Sequence, residues 1–259
     1  MKHLEVMASV KVVSVVGYKN SGKTRVVEAL VSELTKRGYR VGTLKHTAEN
    51  VLLDTPGKDT WRHREAGSIA TAILHSKASA LFIDKPLMAK EAISMLGKLD
   101  FVITEGFKSL GNVAKIVVPR EKDEVKKLSS GLEIAVVDIN GRGFSNLGGL
   151  AAIPFEKLED LADLVEKMAF PILPGLDCGS CNYDDCLGFG RALIARETSL
   201  ERCVGFLPDF GLRVDGENIV LGPFVQEVTK NVILELVRSF KGIESPQRVE
   251  INFKVDNDD

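Results

Sequence analysis

A phosphate-binding motif, framed by a predicted strand and a predicted helix, lies near the start of the chain. Residues 10–16 read Val-Lys-Val-Val-Ser-Val-Val, and residues 17–24 read Gly-Tyr-Lys-Asn-Ser-Gly-Lys-Thr. The nearly continuous β-branched run predicts a buried strand of a parallel sheet, and the apolar spacing over 22–36 predicts a helix. In this order, strand, glycine-rich loop and helix are the context in which a G-x-x-x-x-G-K-T sequence binds nucleotide phosphates. The chain is therefore expected to contain a P-loop α/β domain.

The residues of this motif have different expected roles. Its glycines let backbone N–H groups curl around an anion, and the start of the helix adds partial positive charge. Lys23 is expected to reach the β- and γ-phosphates and to act in catalysis, and the Thr24 hydroxyl is expected to bind Mg²⁺. The predicted nucleotide-binding residues of the motif are Gly17, Asn20, Ser21, Gly22, Lys23 and Thr24.

The run Asp-Phe-Val-Ile-Thr-Glu places an acidic residue at each end of another predicted strand, Asp100 at its start and Glu105 at its end. Open α/β sheets bind ligands at the carboxyl ends of their strands. Glu105 is therefore better placed than Asp100 to face Mg²⁺ or to position a water, and we expect it to be catalytic. Asp100 is kept as a candidate nucleotide-binding residue. The alternatives are a solvated acid at the strand start for Asp100 and a turn residue for Glu105.

A charged segment follows the Pro-Gly pair at 56–57. A short helix is predicted over 60–66, and Asp59 can cap it. Arg62, His63 and Arg64 would then place positive charge in the first turn, where the helix dipole disfavours it. Either a negatively charged ligand or a solvated charged face would explain this arrangement. The chain has no Asn-Lys-x-Asp signature of the kind that reads guanine in Ras-like proteins, so the spacing leaves the base identity open.

Strands and helices alternate over the first two thirds of the chain. Further strands are predicted at 40–45, 69–74, 78–83, 101–104, 114–118 and 134–137, and further helices at 86–97 and 155–168. This alternation predicts a doubly wound, mostly parallel sheet of the P-loop NTPase type.

Prolines near residue 170 mark a predicted domain boundary. Beyond a cysteine-rich module, a hairpin is predicted from 212–214 and 218–221, a helix from Pro223 to about 241, and a strand over 249–255. These elements form a small α+β C-terminal segment. The predicted division is 1–169, 170–210 and 211–259.

All four cysteines lie in this middle module, at Cys178, Cys181, Cys186 and Cys203. Disulfides are not expected in a cytosolic chain, and structural zinc usually takes two Cys-x-x-Cys pairs where this chain has one. Three thiols close together and a fourth after a helix, predicted here over 187–202, suit a [4Fe–4S] cluster. Gly179, Gly188 and Gly190 allow the close backbone approach that such a site needs. A cluster is therefore the first expectation, and zinc is the alternative.

Composition excludes several classes of protein. The 259 residues carry a net charge of −2, which argues against a protein that coats nucleic acid. No apolar run is long enough to span a membrane, and no signal-peptide core is present, so a cytoplasmic location is expected. The near-neutral total hides an asymmetry, because residues 1–169 have an excess of Lys and Arg whereas residues 170–259 have an excess of Asp and Glu.

Several sequence blocks resemble the molybdopterin-guanine dinucleotide biosynthesis protein B (MobB) family. Besides the P-loop, the similar blocks are Thr-Leu-Lys-His at 43–46, Asp-Thr-Pro-Gly-Lys-Asp-Thr at 54–60, Arg-Glu-Ala-Gly at 64–67 and Asp-Phe-Val-Ile-Thr-Glu-Gly-Phe-Lys at 100–108. The resemblance covers about residues 10–168. It implies a dimeric GTP-binding protein with slow GTPase activity that assists the guanylyltransferase joining GMP to molybdopterin. It also implies that Asp59 and Glu105 are site residues, and Lys58 joins the expected nucleotide-binding residues.

The cysteine segment resembles the cluster-binding segments of the corrinoid iron–sulfur protein and of the B component of the Rnf electron-transport complex, over about residues 174–206. In those segments a Cys-Gly-x-Cys sequence precedes a helix and a closing cysteine. The common form of the MobB family lacks this module.

Three functional hypotheses follow. The first is Mg²⁺-dependent GTP binding and slow hydrolysis in the maturation of a molybdenum or tungsten cofactor, with the guanylyltransferase, molybdopterin or a downstream enzyme as partner. The second is a redox-responsive adaptor in which the cluster senses or passes electrons. The third is a P-loop NTPase that delivers a metal or cluster to a client enzyme. The MobB resemblance implies a homodimer, and the composition predicts neither nucleic-acid nor membrane binding.

Overall fold

A six-stranded sheet forms the centre of the fold. The computed structural model describes residues 10–144, 150, 152–206, 212–214, 217–219, 221–243, 246 and 249–252. The strands are β1 (Lys11–Val16), β2 (Val41–Lys45), β3 (Ala70–Leu74), β4 (Ser79–Ile83), β5 (Phe101–Glu105), β6 (Ala114–Val117), β7 (Glu133–Asp138), β8 (Ala152–Pro154), β9 (Leu212–Val214) and β10 (Glu217–Ile219). The α-helices are α1 (Lys23–Lys36), α2 (Asp59–Glu65), α3 (Ala89–Met95), α4 (Lys122–Leu128), α5 (Leu158–Met168), α6 (Cys186–Ile194) and α7 (Pro223–Arg238).

The order of strands in the central sheet is β2-β5-β1-β6-β7-β8, and all neighbouring pairs are parallel. Strands buried on both faces need nearly continuous apolar sequences, which is why β1 reads Lys-Val-Val-Ser-Val-Val. Helices cover both faces of the sheet. The predicted doubly wound α/β fold is confirmed.

Helices α1 and α5 pack side by side on one face of the sheet. Leu30 and Leu34 of α1 and Leu161 of α5 are fully buried in the largest core cluster. Arg37 follows α1, and its guanidinium donates to the carboxylates of Asp163 (2.6 Å) and Glu166 (2.8 Å) at α5. These bonds raise the pKa of Arg37, so that the two helices are joined by charge as well as by apolar packing.

The opposite face is covered by shorter elements. Ile93 of α3 belongs to one apolar cluster on this face, and Val125 and Leu128 of α4 belong to a second. Helix α4 was not predicted, because its seven residues are mostly charged and show only a weak apolar period. The three-residue edge strand β8 was not predicted either.

Other predicted elements differ in length. Helix α3 begins at Ala89 rather than at Pro86, because the Met88 N–H is capped by the Glu91 carboxylate. The predicted hairpin and helix of the C-terminal segment are present as β9, β10 and α7, and Pro223 opens α7. Of the predicted strand 249–255, residues 249–252 are not in a strand, and the remainder lies outside the described residues.

The predicted boundary near residue 170 falls in a tightly packed part of the chain. The Phe170 carbonyl accepts the Val12 N–H at 3.0 Å, and Phe170 and Leu173 are buried in the main core. Phe189 and Cys203 of the cysteine segment belong to the same core cluster. The cysteine segment is therefore anchored on the sheet domain. Within the part of the chain that the structure describes, no helix has the length and apolar character that crossing a membrane requires.

Candidate functional site

The loop after β1 folds as a tight cradle. Asn20 and Gly22 both have positive φ angles, 61° and 92°. A Cβ atom on Gly17 would lie 2.5 Å from the Val118 carbonyl oxygen and would also collide with the Ser21 hydroxyl. Such contacts require glycine at position 17, because they leave no room for a side chain. The loop therefore has the close backbone turn that the motif predicts.

The N-terminus of α1 is available to an anion. Gly22 occupies the N-cap position, and no side chain caps the first turn of this helix. The Ser21 hydroxyl is buried and has no hydrogen-bond partner among the described residues. Unsatisfied N–H groups at a helix start, together with a buried unpaired hydroxyl, match the donor set that a phosphate group needs. These residues thus fit a nucleoside polyphosphate.

Thr24 and Glu105 meet at this end of the sheet. Strands β1 and β5 are neighbours, with Val15 in register with Glu105. The Thr24 hydroxyl donates to Glu105 Oε1 at 3.0 Å, and Lys45 Nζ lies 3.4 Å from the same oxygen. Hydroxyl and carboxylate oxygens suit Mg²⁺. The structure therefore brings together the two residues that the sequence predicts as magnesium ligands.

Cations surround the cradle. Lys23 Nζ donates to the Tyr18 carbonyl at 2.7 Å. The pKa of Lys23 lies below its ordinary value, chiefly because burial disfavours the charged amine; Glu105 raises it, and three further cations lower it. Those cations are Lys108, Lys45 and Arg120, and the charged groups of Lys108 and Arg120 lie 4.1 Å and 5.2 Å from the centre of the Tyr18 ring. A polyanion would relieve this concentration of positive charge.

Sequence reasoning missed the contribution of Lys45, Lys108 and Arg120. Lys45 ends β2 and Lys108 follows β5, so a search for cations just after predicted strands would have found both. Arg120 follows β6 and is held by the Glu124 carboxylate, with Nε to Oε1 at 2.9 Å. The two residues are four positions apart, so a search for (i, i+4) charge pairs would have found this contact.

Asp100 does not join this group. It precedes β5 at the opposite edge of the sheet, where its carboxylate accepts from Arg40 Nε at 3.0 Å and from Arg40 Nη2 at 2.8 Å. The Arg40 guanidinium holds the pKa of Asp100 at about 2. The structure gives Asp100 a role in joining the starts of β2 and β5.

Lys58 and Asp59 lie at the start of α2, which packs beside β3. Both are exposed, and among the described residues neither forms a hydrogen bond or ion pair with the P-loop. Because α2 has only seven residues, Arg62, His63 and Arg64 fall in its last turn, where the dipole favours positive charge. The expected conflict with the helix dipole is therefore absent.

Arg64 already has carboxylate partners within the protein. Its Nε lies 2.9 Å from Asp84 Oδ2, after β4, and its Nη1 lies 3.8 Å from Asp54. These carboxylates, rather than a bound anion, account for its position.

The four cysteines line one cavity. Cys178 is exposed, Cys181 and Cys186 are partly buried, and Cys203 is buried, and all four carry free thiols. Pro174, Leu176, Phe189 and Gly205 are among the residues that complete the wall. Among the described residues, no three His, Cys, Asp or Glu side chains converge closely enough to hold a single metal ion. The four thiols therefore share the lining of one cavity.

Charge and burial couple these thiols. Burial raises the pKa of the Cys203 thiol, and the three other cysteines raise it further, whereas a backbone hydrogen bond at Gly205 lowers it. Four thiolates gathered in this way repel one another unless a cation or a cationic cluster lies between them. The donor set and its spacing fit a polynuclear iron–sulfur cluster.

Helix α6 is fixed at both ends. The Asp185 carboxylate caps it by accepting the Gly188 N–H at 2.6 Å, and the Asp177 carboxylate accepts the Cys186 N–H at 2.8 Å. The helix ends at Ile194 rather than near 202 as predicted. Arg196 adopts a positive φ of 61°, and the Glu197 N–H bonds back to the Ala192 carbonyl, which closes the helix. Cys203 then follows a 3₁₀ turn, Leu200–Arg202.

Gly190 lets α6 lie close to the sheet domain. A Cβ atom at this position would lie 2.8 Å from Leu132 Cδ2 and 3.2 Å from Leu173 Cδ1. We expect Gly190→Val to lower the free energy of unfolding by about 1–3 kcal/mol, because the new side chain overpacks this contact. Denaturant unfolding measures the change. Gly111→Val is the matched control, since a Cβ at Gly111 meets no atom within 4 Å; equal effects of the two substitutions would contradict the prediction.

The phosphate cradle and the cysteine cavity lie at opposite edges of the central sheet. The cradle follows the carboxyl end of β1, whereas the segment leading to the cysteines meets the strand starts, with the Leu173 N–H bonded to the Asn112 carbonyl just before β6. The four residues of β6 separate these edges by about 13 Å at about 3.3 Å per residue. The two centres do not share a pocket.

Two family models match separate parts of the chain. The family model described as "Molybdopterin guanine dinucleotide synthesis protein B", MobB, matches residues 12–138, which contain the cradle, Thr24 and Glu105. A second model, described as "Putative Fe-S cluster", matches residues 173–204, which contain all four cysteines.

Individual relatives extend the likeness. A Methanocaldococcus jannaschii protein named "Putative molybdopterin-guanine dinucleotide biosynthesis adapter protein" is 28% identical over 250 residues, which are 95% of this chain and 98% of the relative. The Escherichia coli "Molybdopterin-guanine dinucleotide biosynthesis adapter protein" is 30% identical over 154 residues, which are 57% of this chain and 87% of the relative. The crystal structure of Bacillus subtilis MobB matches with a TM-score of 0.53 and 27% identity, covering 60% of this chain and 96% of that chain. On these similarities and the P-loop site within the matched region, the chain belongs to the MobB family of molybdopterin-guanine dinucleotide biosynthesis adapter proteins, with an Fe–S family domain after its sheet domain.

Proposed function

We propose that this adapter protein binds GTP with Mg²⁺, hydrolyses it slowly, and assists the guanylyltransferase that joins GMP to molybdopterin. The observation that carries the proposal is the Thr24–Glu105 hydrogen bond beside a P-loop whose Lys23 has three further cations around it. A polyphosphate and a divalent cation together would satisfy both the carboxylate and the excess positive charge. The location proposed is the cytoplasm, where thiols stay reduced.

Each site residue has a proposed task. The backbone of residues 17–24 would hold the phosphates, and Lys23 would leave the Tyr18 carbonyl to contact the β- and γ-phosphates. Thr24 and Glu105 would hold Mg²⁺, which neutralises phosphate charge when bound. Lys58 and Asp59 remain proposed site residues on the family resemblance, at exposed positions at the start of α2.

For the cysteine cavity we propose a [4Fe–4S] cluster ligated by Cys178, Cys181, Cys186 and Cys203. Support comes from the open arrangement of the four thiols, which suits a cluster better than one tetrahedral zinc ion. Such a cluster can accept and release one electron. The residues 170–210 around it are proposed as a module attached to the domain 1–169, with 211–259 as a further segment.

A redox-responsive adaptor, or a protein that delivers a metal or cluster to a molybdenum or tungsten enzyme, is the second candidate. The exposure of Cys178 favours it, because one corner of the cavity is open to a redox partner or an acceptor protein. A homodimer is part of both proposals. The β3–β4 hairpin supports it, since Ile69, Leu74 and Leu81 are exposed on or beside this hairpin.

One anaerobic preparation tests both centres. We expect about four iron and four sulfide per chain, and a titration in the presence of Mg²⁺ in which GTP binds much more tightly than ATP. Zinc without iron would contradict the proposed cluster, and equal affinity for GTP and ATP would contradict the proposed nucleotide. Release of iron on nucleotide hydrolysis would favour delivery over an adaptor role.

A further inference from the structure

The end of β7 lies where the base of a bound nucleotide would be. The Thr24–Glu105 pair sits toward β5, on one side of β1, and so marks the γ-phosphate and metal end of the site. On the other side of β1 the sheet continues with β6 and β7. Two strand spacings of about 4.8 Å put β7 about 10 Å from β1. A nucleotide that extends away from Glu105 therefore brings its base over the end of β7.

The segment after β7 also touches the P-loop. A Cβ atom on Gly22 would collide with Ile139 Cδ1, so that Ile139 lies directly against the start of α1. Asp138, the last residue of β7, is thus one residue from a contact with the phosphate cradle. Asp138 therefore lies at the carboxyl edge of the sheet, where ligands bind, and its side chain is on the face opposite that of Ile139.

One of the two carboxylate oxygens of Asp138 accepts no hydrogen bond from the described residues. Its side chain is 6% exposed, and its Oδ2 accepts the Phe144 N–H at 3.3 Å. Its Oδ1 is buried and has no hydrogen-bond partner in the described part of the chain. A buried carboxylate oxygen without a donor destabilises a protein, because it has lost its hydrogen bonds to water. A donor supplied by a ligand would remove this cost.

We propose that the Asp138 carboxylate reads the guanine base of the bound nucleotide. Guanine presents two adjacent donors on one edge, N1–H and the exocyclic N2 amine, and a carboxylate offers two matching acceptors. Adenine presents an acceptor at the corresponding ring nitrogen and so repels the carboxylate. One base donor would pair with the free Oδ1, and the other would take the place of the Phe144 N–H at Oδ2. This inference rests on the proposed binding of GTP and supplies its selectivity.

Asp138→Asn is the sharpest test, because it preserves shape and exchanges one acceptor for a donor. We expect GTP affinity to fall by about 10- to 100-fold, as loss of a charge-assisted bond implies. Affinity for xanthosine triphosphate should rise, since xanthine carries a carbonyl where guanine has its amine, and the Asn amide can donate to that carbonyl. Fluorescence titration with GTP, ATP and xanthosine triphosphate measures all three. Asp123→Asn, an exposed acid on α4, is the matched control.

A second measurement needs no substitution. Inosine triphosphate lacks the exocyclic amine, so the unaltered protein should bind it about 10-fold more weakly than GTP. If Asp138→Asn weakens GTP and xanthosine triphosphate equally, or if inosine triphosphate binds as well as GTP, Asp138 only caps the turn at Phe144 and the inference is overturned. If the unaltered protein binds no GTP at all, the proposed function fails instead, which is a separable result.

Discussion

Lys23→Ala is expected to abolish GTP binding while leaving the fold intact. Lys23 is the charged side chain of the cradle itself, and its ammonium is held by the Tyr18 carbonyl at 2.7 Å, next to the phosphate position. Burial already lowers its pKa, so removing it relieves a desolvation cost in the protein without bound nucleotide. The substitution should therefore weaken the complex with GTP and not the protein without nucleotide. We expect GTP affinity to decrease by more than about 100-fold, as measured by isothermal titration calorimetry in Mg²⁺.

Lys19→Ala is the matched control for this experiment. Lys19 lies in the same loop, but its side chain is 75% exposed and pairs with the Glu49 carboxylate on the surface. Exposed pairs contribute little, so its removal should leave GTP affinity within about threefold. GTP binding by Lys23→Ala that matched the unaltered protein would refute the proposed site, and equal losses in both variants would point to general damage to the loop.

Cys203→Ala is expected to remove the cluster. Cys203 is the buried thiol of the cavity, and alone among the four cysteines it follows α6 in the chain. Without it three thiols remain, all within the segment 178–186, and the fourth corner of a cluster is exposed to water. We expect iron and sulfide content after anaerobic reconstitution to fall to less than about a tenth of that of the unaltered protein, together with the visible absorption of the cluster.

Leu200→Ala is the control, because it loosens packing in the turn before Cys203 without removing a thiol. It should retain iron and lose only stability. Since the two centres lie at opposite edges of the sheet, Cys203→Ala should also keep its GTP affinity, and Lys23→Ala should keep its iron. Full iron content in Cys203→Ala would show that this thiol is not a ligand.

The local sequence was sufficient to predict the phosphate cradle and most strands of the central sheet. The P-loop, its strand and its helix are adjacent in the chain, so their chemistry can be read without tertiary contacts. Glu105 could be placed because it ends an apolar strand, and the carboxyl ends of parallel strands meet at one edge. The strands of the sheet were predicted to within a residue or two, with β8 as the exception.

Contacts between distant segments could not be predicted in this way. The pairing of Asp100 with Arg40 depends on the register between β2 and β5, and the pairing of Arg64 with Asp84 depends on how the β3–β4 hairpin folds back. The unpaired Oδ1 of Asp138 could not be predicted from the sequence either, because only the folded protein shows which acceptors lack donors. In each case the side chain's partner, rather than its sequence neighbours, decides its role.

Contacts between distant segments could not be predicted for the cysteine segment either. Spacing predicted that four thiols gather around a helix, and the structure brings them to one cavity. It did not predict that Phe189 and Cys203 are buried in the core of the sheet domain. Nor did it reveal the helix end near Arg196, where a positive φ angle breaks a run of good helix formers.

The separation of the cradle and the cavity along β6 has a consequence for assembly. The P-loop N–H groups and the thiols open at different rims of the sheet domain, because the four residues of β6 lie between them. In a complex with a second protein, contact with one rim therefore does not require contact with the other.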